Sequence, residues 1–461
     1  MHNTLKTLFF LSCISLVASN RVYVHPFNLF AYGNSSCETV EGQDEKLPDK
    51  MTFVPTPIEL QNGSEPGSPI QRGSSGTKQE VTQHTYVLAG LQNMLGLRMY
   101  SAMSKQKKTG NILFSPVNSF GTLVTLYLGS SKHTATRLQH LIGIVKETDK
   151  ENCTSPIDGH KVLHALQNIN SLIDGSSDEL TTVVWTFLNT GIKLSEEFVK
   201  GIQDFSDHSY LRAVHFSNPQ HAESLVNSFV EATSSRKVKS LFNAIDSSTD
   251  LLFASYVHFK GKWKKAFEPH LTEMQEFWTD DTTKVAVPLM SQSGVFQYFS
   301  DKNRNCFVIK LPFSKKAYML LVLSIKGTDL NHIEALLTSD VISEWQHNLK
   351  KGFVHLSLPK FSMGTVSDLK EILTNIKLPD LLGKSSDFTK LSNKEHLTID
   401  KVLNKVIFEV TEEGSENHAD SRDSIPTPLE LKINKPFFFA VVEGNSDALL
   451  LLGRITNPSS N

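Results

Sequence analysis

Hydrophobic positions along this chain change their period several times, and each change marks an element. Leu8 to Val17 form an apolar run of ten, half of what a transmembrane helix of about 20 residues needs. Between Gly63 and Gly76, ten of fourteen positions are Gly, Ser or Pro, too little apolar surface to pack. Residues 30–82 are therefore expected to form a flexible tail. Helical periodicity begins after it: Leu88, Leu91, Leu95 and Met99 fall on one helical face. A second helix opens with Ser115 as cap and Pro116 as its first residue, carries Val117, Phe120, Val124 and Tyr127 on one stripe, and ends at Gly129. Continuous apolar runs of strand length follow: Leu251 to Ala254 resuming at Tyr256 to Phe259, Tyr318 to Ile325, Phe437 to Val442 and Ala448 to Leu452. The last two flank Glu443-Gly444-Asn445-Ser446-Asp447, whose turn composition predicts a buried hairpin. Helices mixed with buried strands, without regular βαβ alternation or an internal repeat, predict one large α+β domain over residues 83–461.

The first nineteen residues read as a signal peptide, with Lys6 as the positive region, the apolar run behind it and Val17-Ala18-Ser19 as the small-residue cleavage pattern. Cleavage after Ser19 would place the protein outside the cell. The net charge of −2 over 461 residues calls for neither nucleic acid nor an anionic membrane as partner. Cys13 leaves with the signal, so Cys37, Cys153 and Cys306 remain, and an odd number in an oxidising compartment predicts one bridge and one spare thiol. Three pairings are open. Cys37 with Cys153 is preferred, because each lies in a polar stretch beside an N-x-[ST] sequon, whereas Cys306 precedes the apolar run Phe307 to Leu311 and is expected as a core-facing thiol. The sequons at Asn34, Asn62 and Asn152 are glycosylation candidates.

No Gly-x-Ser-x-Gly, His-Glu-x-x-His, Walker or Cys-x-x-Cys pattern is present, so no enzyme class, metal or cofactor has a motif to stand on. Lys105, Lys107 and Lys108 with Lys132, His133 and Arg137 are read as solvated charges around helix ends rather than a heparin site. Trp263 is read as a core aromatic.

Two resemblances carry the functional reading. Asn20-Arg21-Val22-Tyr23-Val24-His25-Pro26-Phe27-Asn28-Leu29 resembles the angiotensin family of peptide hormones and stands where the mature chain would begin. In order along the chain, Asn111-Ile112-Leu113-Phe114-Ser115-Pro116, Phe259-Lys260-Gly261-Lys262-Trp263, Glu412-Glu413-Gly414-Ser415, Leu431 to Phe439 and Gly453-Arg454-Ile455-Thr456-Asn457-Pro458 resemble the motifs of the serpin family. That resemblance implies three β-sheets with eight or nine helices, and a reactive loop between Gly414 and Pro426. The peptide resemblance implies cleavage of Leu29-Phe30 by the aspartic protease renin. Angiotensin-converting enzyme, a dipeptidyl carboxypeptidase, would then cut between Phe27 and Asn28, leaving an octapeptide for a G-protein-coupled receptor that reads Arg21, Tyr23, His25 and Phe27. Pro26 supplies a reason for stopping there, since the His25-Pro26 bond is a tertiary amide without an N–H. Asn20 and Asn28 depart from the Asp and His of the mammalian hormone. Val22, Tyr23 and Val24 are strand formers and Pro26 pushes His25 toward the extended region, so the segment is expected to resist helix and lie extended at a free amino terminus.

An inhibitory serpin inserts its cleaved loop as a new strand, which needs small residues after the hinge Glu413-Gly414-Ser415. This chain instead has Glu416-Asn417-His418-Ala419-Asp420 there, and burying Asn417 unpartnered would cost about 1–3 kcal/mol. Only nine residues separate Gly414 from Ser424-Ile425-Pro426, a short loop for presenting a bait bond. Beneath the sheet that would open, the resemblance aligns Asn118, Ser255 and Asn404, with Ser115 kept. These departures point to a non-inhibitory serpin. The alternative is an inhibitor of a trypsin-like protease through Arg422. A Cys37–Cys153 bridge would tether Leu29 within about 30 Å of the region around Cys153.

Overall fold

A computed structural model of the chain describes residues 25–31, 51–58, 69, 82–145, 157–171, 180–325, 329–416 and 428–459. Among them are ten α-helices and three sheets, one helix or two beyond the expected number. The additional elements lie at the amino terminus, as described below.

The six-stranded sheet runs in the order Thr56–Pro57, His208–Val214, Leu180–Asn189, Leu251–Lys260, Ile399–Val410, Phe361–Asp368. Its two central strands, Leu251–Lys260 and Ile399–Val410, are parallel and directly hydrogen-bonded, in register from Leu252 opposite Lys401 to Lys260 opposite Glu409, with a bulge at Asp400 before them. Leu251–Lys260 is buried at every residue but Lys260 because both of its faces are covered. On one face sits the Pro116–Gly129 helix; on the other, the Pro219–Thr233 helix closes a second cluster around Trp185, Tyr256 and Phe242. The nine-stranded sheet carries the predicted hairpin, with Phe437–Glu443 antiparallel to Leu449–Ile455 and every residue of both strands buried. The third sheet pairs Gly414–Glu416 with Trp263–Lys265.

The Pro116–Gly129 helix starts where its sequence says, with Ser115 Oγ accepting from the Asn118 N–H and Pro116 at the first position. All its residues but Leu128 are buried, so it is the pillar between the two large sheets. At Gly121 a Cβ would stand 1.9 Å from Phe205, which requires glycine at that contact. Cys306 opens the Cys306–Pro312 strand, fully buried and unpaired, its thiol pushed up to about 12 by burial, as expected for a core thiol.

The expected tail is partly structured. Phe53 and Leu194 exchange backbone hydrogen bonds at 3.2 and 2.9 Å, and Thr56–Pro57 adds a short parallel edge strand beside His208–Val214. Its Pro sits on a sheet edge, where a missing N–H costs nothing in the ladder.

A buried ion pair ties the carboxy-terminal hairpin to the helices. Arg454, 1% exposed, donates to Glu334 Oε2 at 2.6 Å, and the Tyr100 hydroxyl donates to Glu334 Oε1 at 2.5 Å. Burial holds the Glu334 carboxyl above its ordinary range despite these donors. Removing one partner strands the other charge in the interior. Glu334→Leu is accordingly expected to lower stability by about 3–5 kcal/mol, read as a shifted urea midpoint; an unshifted midpoint would show that Arg454 finds another partner.

Candidate processing site and reactive-loop hinge

The segment holding the expected scissile bond is a helix docked on the body. Pro26–Phe30 forms one short α-helix, with Phe27 and Phe30 buried, Leu29 half-buried and Asn28 exposed. The expectation of an extended chain at a free terminus is corrected here for Pro26–Phe30. His25 is indeed extended, at φ −60° and ψ 135°, as a residue before proline should be. Pro26, however, has the φ that starts a helix, and the aromatic pair at i and i+3 can bury together only if the chain turns. Tertiary packing of Phe27 and Phe30 therefore outweighs the expectation of an extended chain from Pro26 onward.

Phe30 is fully buried and meets His84 of the Gln83–Gln106 helix edge-on, with ring centroids 5.5 Å apart. Beyond the bond, the Asp158 N–H donates to the Phe30 carbonyl at 2.8 Å and Lys161 Nζ to the Ala31 carbonyl at 3.0 Å, while Ala31 forms a bridge with Ile157. Ile157 is itself held by the Tyr127 hydroxyl, which accepts from its N–H at 3.0 Å. At the other end, His25 Nδ1 accepts from the Phe27 N–H at 3.2 Å. The four-residue region Ile157 to His160 and His84 were not picked out in the sequence; nothing local to them signals a partner so far away in the chain.

The hinge is pinned outside the central sheet. Glu412 pairs with Lys360 and Glu413 with Lys260, at 2.7 and 2.6 Å. The Trp263 indole N–H donates to the Thr411 carbonyl at 2.7 Å, and Ser415 Oγ donates to the Lys264 carbonyl at 3.1 Å. Trp263 is the buried aromatic expected, stacked on Phe313 at 4.7 Å. A Cβ at Gly414 would lie 2.4 Å from the Ala266 nitrogen, so the hinge glycine permits this close approach.

Beneath the central seam, the residues aligned from the motifs come together. Asn118 Nδ2 donates to Ser255 Oγ at 2.9 Å, Ser255 Oγ to Asn404 Oδ1 at 2.6 Å, and Asn404 Nδ2 to Ser119 Oγ at 2.6 Å, with Thr122 Oγ1 3.1 Å from Ser255. All five are buried, so each lost bond would leave an unsatisfied group inside. Higher on the same seam, a contact the sequence did not announce joins Glu409 to His258 at 2.8 Å and to Lys237 at 2.7 Å. Burial lowers the proton affinity of His258, and the donors Lys237 and His258 hold Glu409 below its ordinary range against the opposing effect of its burial.

Arg21, Tyr23, Asn34, Cys37, Asn62, Asn152, Cys153 and Arg422 lie outside the described residues. Among the described residues, no group of three or more His, Cys, Asp or Glu is placed to hold a metal, and no helix is long and apolar enough to cross a membrane.

The serpin (serine protease inhibitor) family model matches residues 91–458. Among solved structures, mouse protein-Z dependent protease inhibitor is similar with a TM-score of 0.72 and 27% identity, over 81% of this chain and 98% of that one. Human thyroxine-binding globulin follows at 0.70 and 26%, over 82% of this chain and 100% of that one. Over nearly the whole length, the angiotensinogens of Bos taurus and Homo sapiens are each 34% identical to this chain, covering 98% of it and 96% of their own length. The chain belongs to the serpin family and, within it, to the angiotensinogens.

A pH dependence follows from the seam. His258 is held neutral in the fold while an unfolded imidazole takes a proton below about pH 6.5, so its contribution is complete above that pH and is lost as pH falls; the lowered Glu409 acts in the same direction further down. Against its burial, Asp204 and Glu197 raise the proton affinity of His160, which acts oppositely in both proteins, so the prediction is a difference: between about pH 7.5 and 5.5 the thermal midpoint of wild type should fall relative to that of His258→Gln. Equal slopes in both proteins would remove His258 from the account.

Proposed function

We propose that this chain is a secreted hormone precursor that releases the decapeptide Asn20 to Leu29 when renin cuts Leu29-Phe30. The observation that carries the reading is the near full-length relation to angiotensinogens, together with a peptide-like segment whose expected cleavage bond is docked on the serpin body. A protease takes its substrate as an extended strand, so the Pro26–Phe30 helix must unwind and Phe30 must leave its pocket. Exposing a buried Phe side chain costs about 2–3 kcal/mol, which makes the docked form slow to cut and gives partner contacts something to overcome.

In this reading residues 1–19 are the signal peptide, 20–29 the peptide, 30–82 a glycosylated connection that is partly packed, and 83–461 the serpin domain. Angiotensin-converting enzyme would shorten the product to end at Phe27, and a G-protein-coupled receptor would read the octapeptide in the control of blood pressure and fluid. No cofactor enters this scheme, and the chain acts as substrate rather than enzyme. The Cys37–Cys153 bridge would join the segment just after the scissile bond to the residues just before Ile157, and its redox state would alter access to that bond.

The inhibitor alternative through Arg422 is less favoured by the geometry. The hinge residues are held outside the six-stranded sheet, with Glu412 on Lys360, Glu413 on Lys260 and Ser415 Oγ on the Lys264 carbonyl, and the residues that would follow them into a sheet begin with the polar Glu416-Asn417-His418.

Incubating the secreted protein with renin and identifying the products by mass spectrometry tests the reading. The expected result is a fragment from Asn20 to Leu29, no covalent protease adduct, and no large rise in melting temperature after cleavage of the 417–427 loop. An adduct with a trypsin-like protease, or a stabilised cleaved form, would favour the inhibitor. Cys153→Ser cut at the wild-type rate in both oxidising and reducing buffer would sink the redox clause alone.

A further inference from the structure

The helix that holds the expected scissile bond has one side-chain cap, and that cap can be titrated. We propose that His25 is a positioning residue for processing: its neutral imidazole keeps Pro26–Phe30 helical and docked, and protonation of that ring releases the segment. The proposal rests, for its consequence, on the cleavage reading above.

The bond from the Phe27 N–H to His25 Nδ1, 3.2 Å long, exists only while Nδ1 carries a lone pair, with the ring proton on Nε2. Protonation places an N–H at Nδ1, and an accepted hydrogen bond becomes a contact between two donors. It also sets a cation at the positive end of a helix, the unfavourable side of its dipole. The helix has no acidic residue in its first turn to offset this. With five residues it is far below the length at which a helix holds itself, so its amino end leans on this cap and on the turn bond from the Asn28 N–H to the His25 carbonyl at 3.0 Å, its carboxy end on the bonds from the Ala31 N–H to the Phe27 carbonyl and from the Asp158 N–H to the Phe30 carbonyl, each 2.8 Å, and both on burial of Phe27 and Phe30.

Two elements pack on this helix. The Gln83–Gln106 helix presents His84 to Phe30. The chain entering the Gly159–Ser171 helix presents Asp158 and Lys161, 3.8 Å apart, to the far end of the segment. Imidazoles are the side chains that ordinarily change charge between about pH 5 and 8; those on the segment and the two elements include His25, His84 and His160, and His160 is already paired with Asp204 and Glu197 rather than with the segment's backbone. His84 touches the ring of Phe30 and accepts nothing from the helix backbone; His25 holds the backbone itself.

Hydrogen exchange read by mass spectrometry over Phe27 to Ala31 in the full secreted chain tests this without any protease. After correction for intrinsic rates, wild-type protection should fall about five-fold from pH 7.5 to 5.5, the value of one cap of about 1 kcal/mol. His25→Asn keeps an acceptor that no proton occupies and should stay protected at both pH values; His25→Ala should be weakly protected at both. His84→Gln should keep the wild-type slope. A flat wild-type profile, or a His25→Asn profile as steep as wild type, overturns the proposal. As a second arm, the renin cleavage rate of each full chain is divided by that of its own synthetic peptide spanning residues 20–33. The ratio should rise on acidification for wild type and stay level for His25→Asn. Absence of any Asn20 to Leu29 product would count against the cleavage reading, while the exchange result would still decide the role of His25.

Discussion

The direct pairing of Leu251–Lys260 with Ile399–Val410 is the constraint from which the rest of this molecule follows. The two parallel central strands pair directly from Leu252–Lys401 to Lys260–Glu409, with one bulge at Asp400, and a buried polar chain through Asn118, Ser255, Asn404 and Ser119 crosses beneath them. Such a network favours one arrangement because any partial opening leaves buried donors and acceptors without partners. The seam also fixes the Pro116–Gly129 helix, since Asn118 and Thr122 belong to it. That helix in turn carries Tyr127, whose hydroxyl holds Ile157, and Ile157 bridges Ala31. The closed sheet and the docked peptide are thus connected through one buried helix.

The docking is shallow by comparison. Phe30 fills a pocket against His84, but the helix around it is a single turn, and its carbonyl partners beyond the bond are a backbone N–H and a half-exposed Lys161. Ion pairs and hydrogen bonds at such exposure contribute little. Most of the stability holding the segment therefore comes from two aromatic side chains. A segment held this way can open locally while the core stays folded, as the proposed cleavage of Leu29-Phe30 would require.

Much of this was legible in the sequence, for physical reasons that differ by element. The Ser115-Pro116 start, the Phe437 to Leu452 hairpin and the buried Cys306 are signalled by local chemistry: a cap, a turn between apolar runs, a thiol at the head of a strand. Asn118, Ser255 and Asn404 could be brought together only by aligning motifs, because no periodicity links three polar residues so far apart. The peptide segment departs from its local signals from Pro26 onward: His25 is extended, as a residue before proline should be, but Pro26 starts a helix instead of continuing an extended chain. What settles its shape is a pocket built from His84, Ile157 and Asp158, and no local pattern around Pro26 encodes that. The same applies to Phe53 and Thr56, which pack on strands more than a hundred residues away in the chain.

A serpin body with a locked sheet is well matched to the role of a carrier. In an inhibitor the energy of the fold is kept available for strand insertion, and the body must be able to rearrange. Here the hinge at Gly414 is stitched to Trp263–Lys265 and its carboxylates are taken by Lys260 and Lys360, so the loop end is spent on a static contact. The Pro116–Gly129 helix joins the two regions: its Asn118 and Thr122 belong to the seam, its Tyr127 holds Ile157, and Ile157 bridges Ala31, so the surface that receives Phe30 is set by the same helix that packs beneath the closed strands.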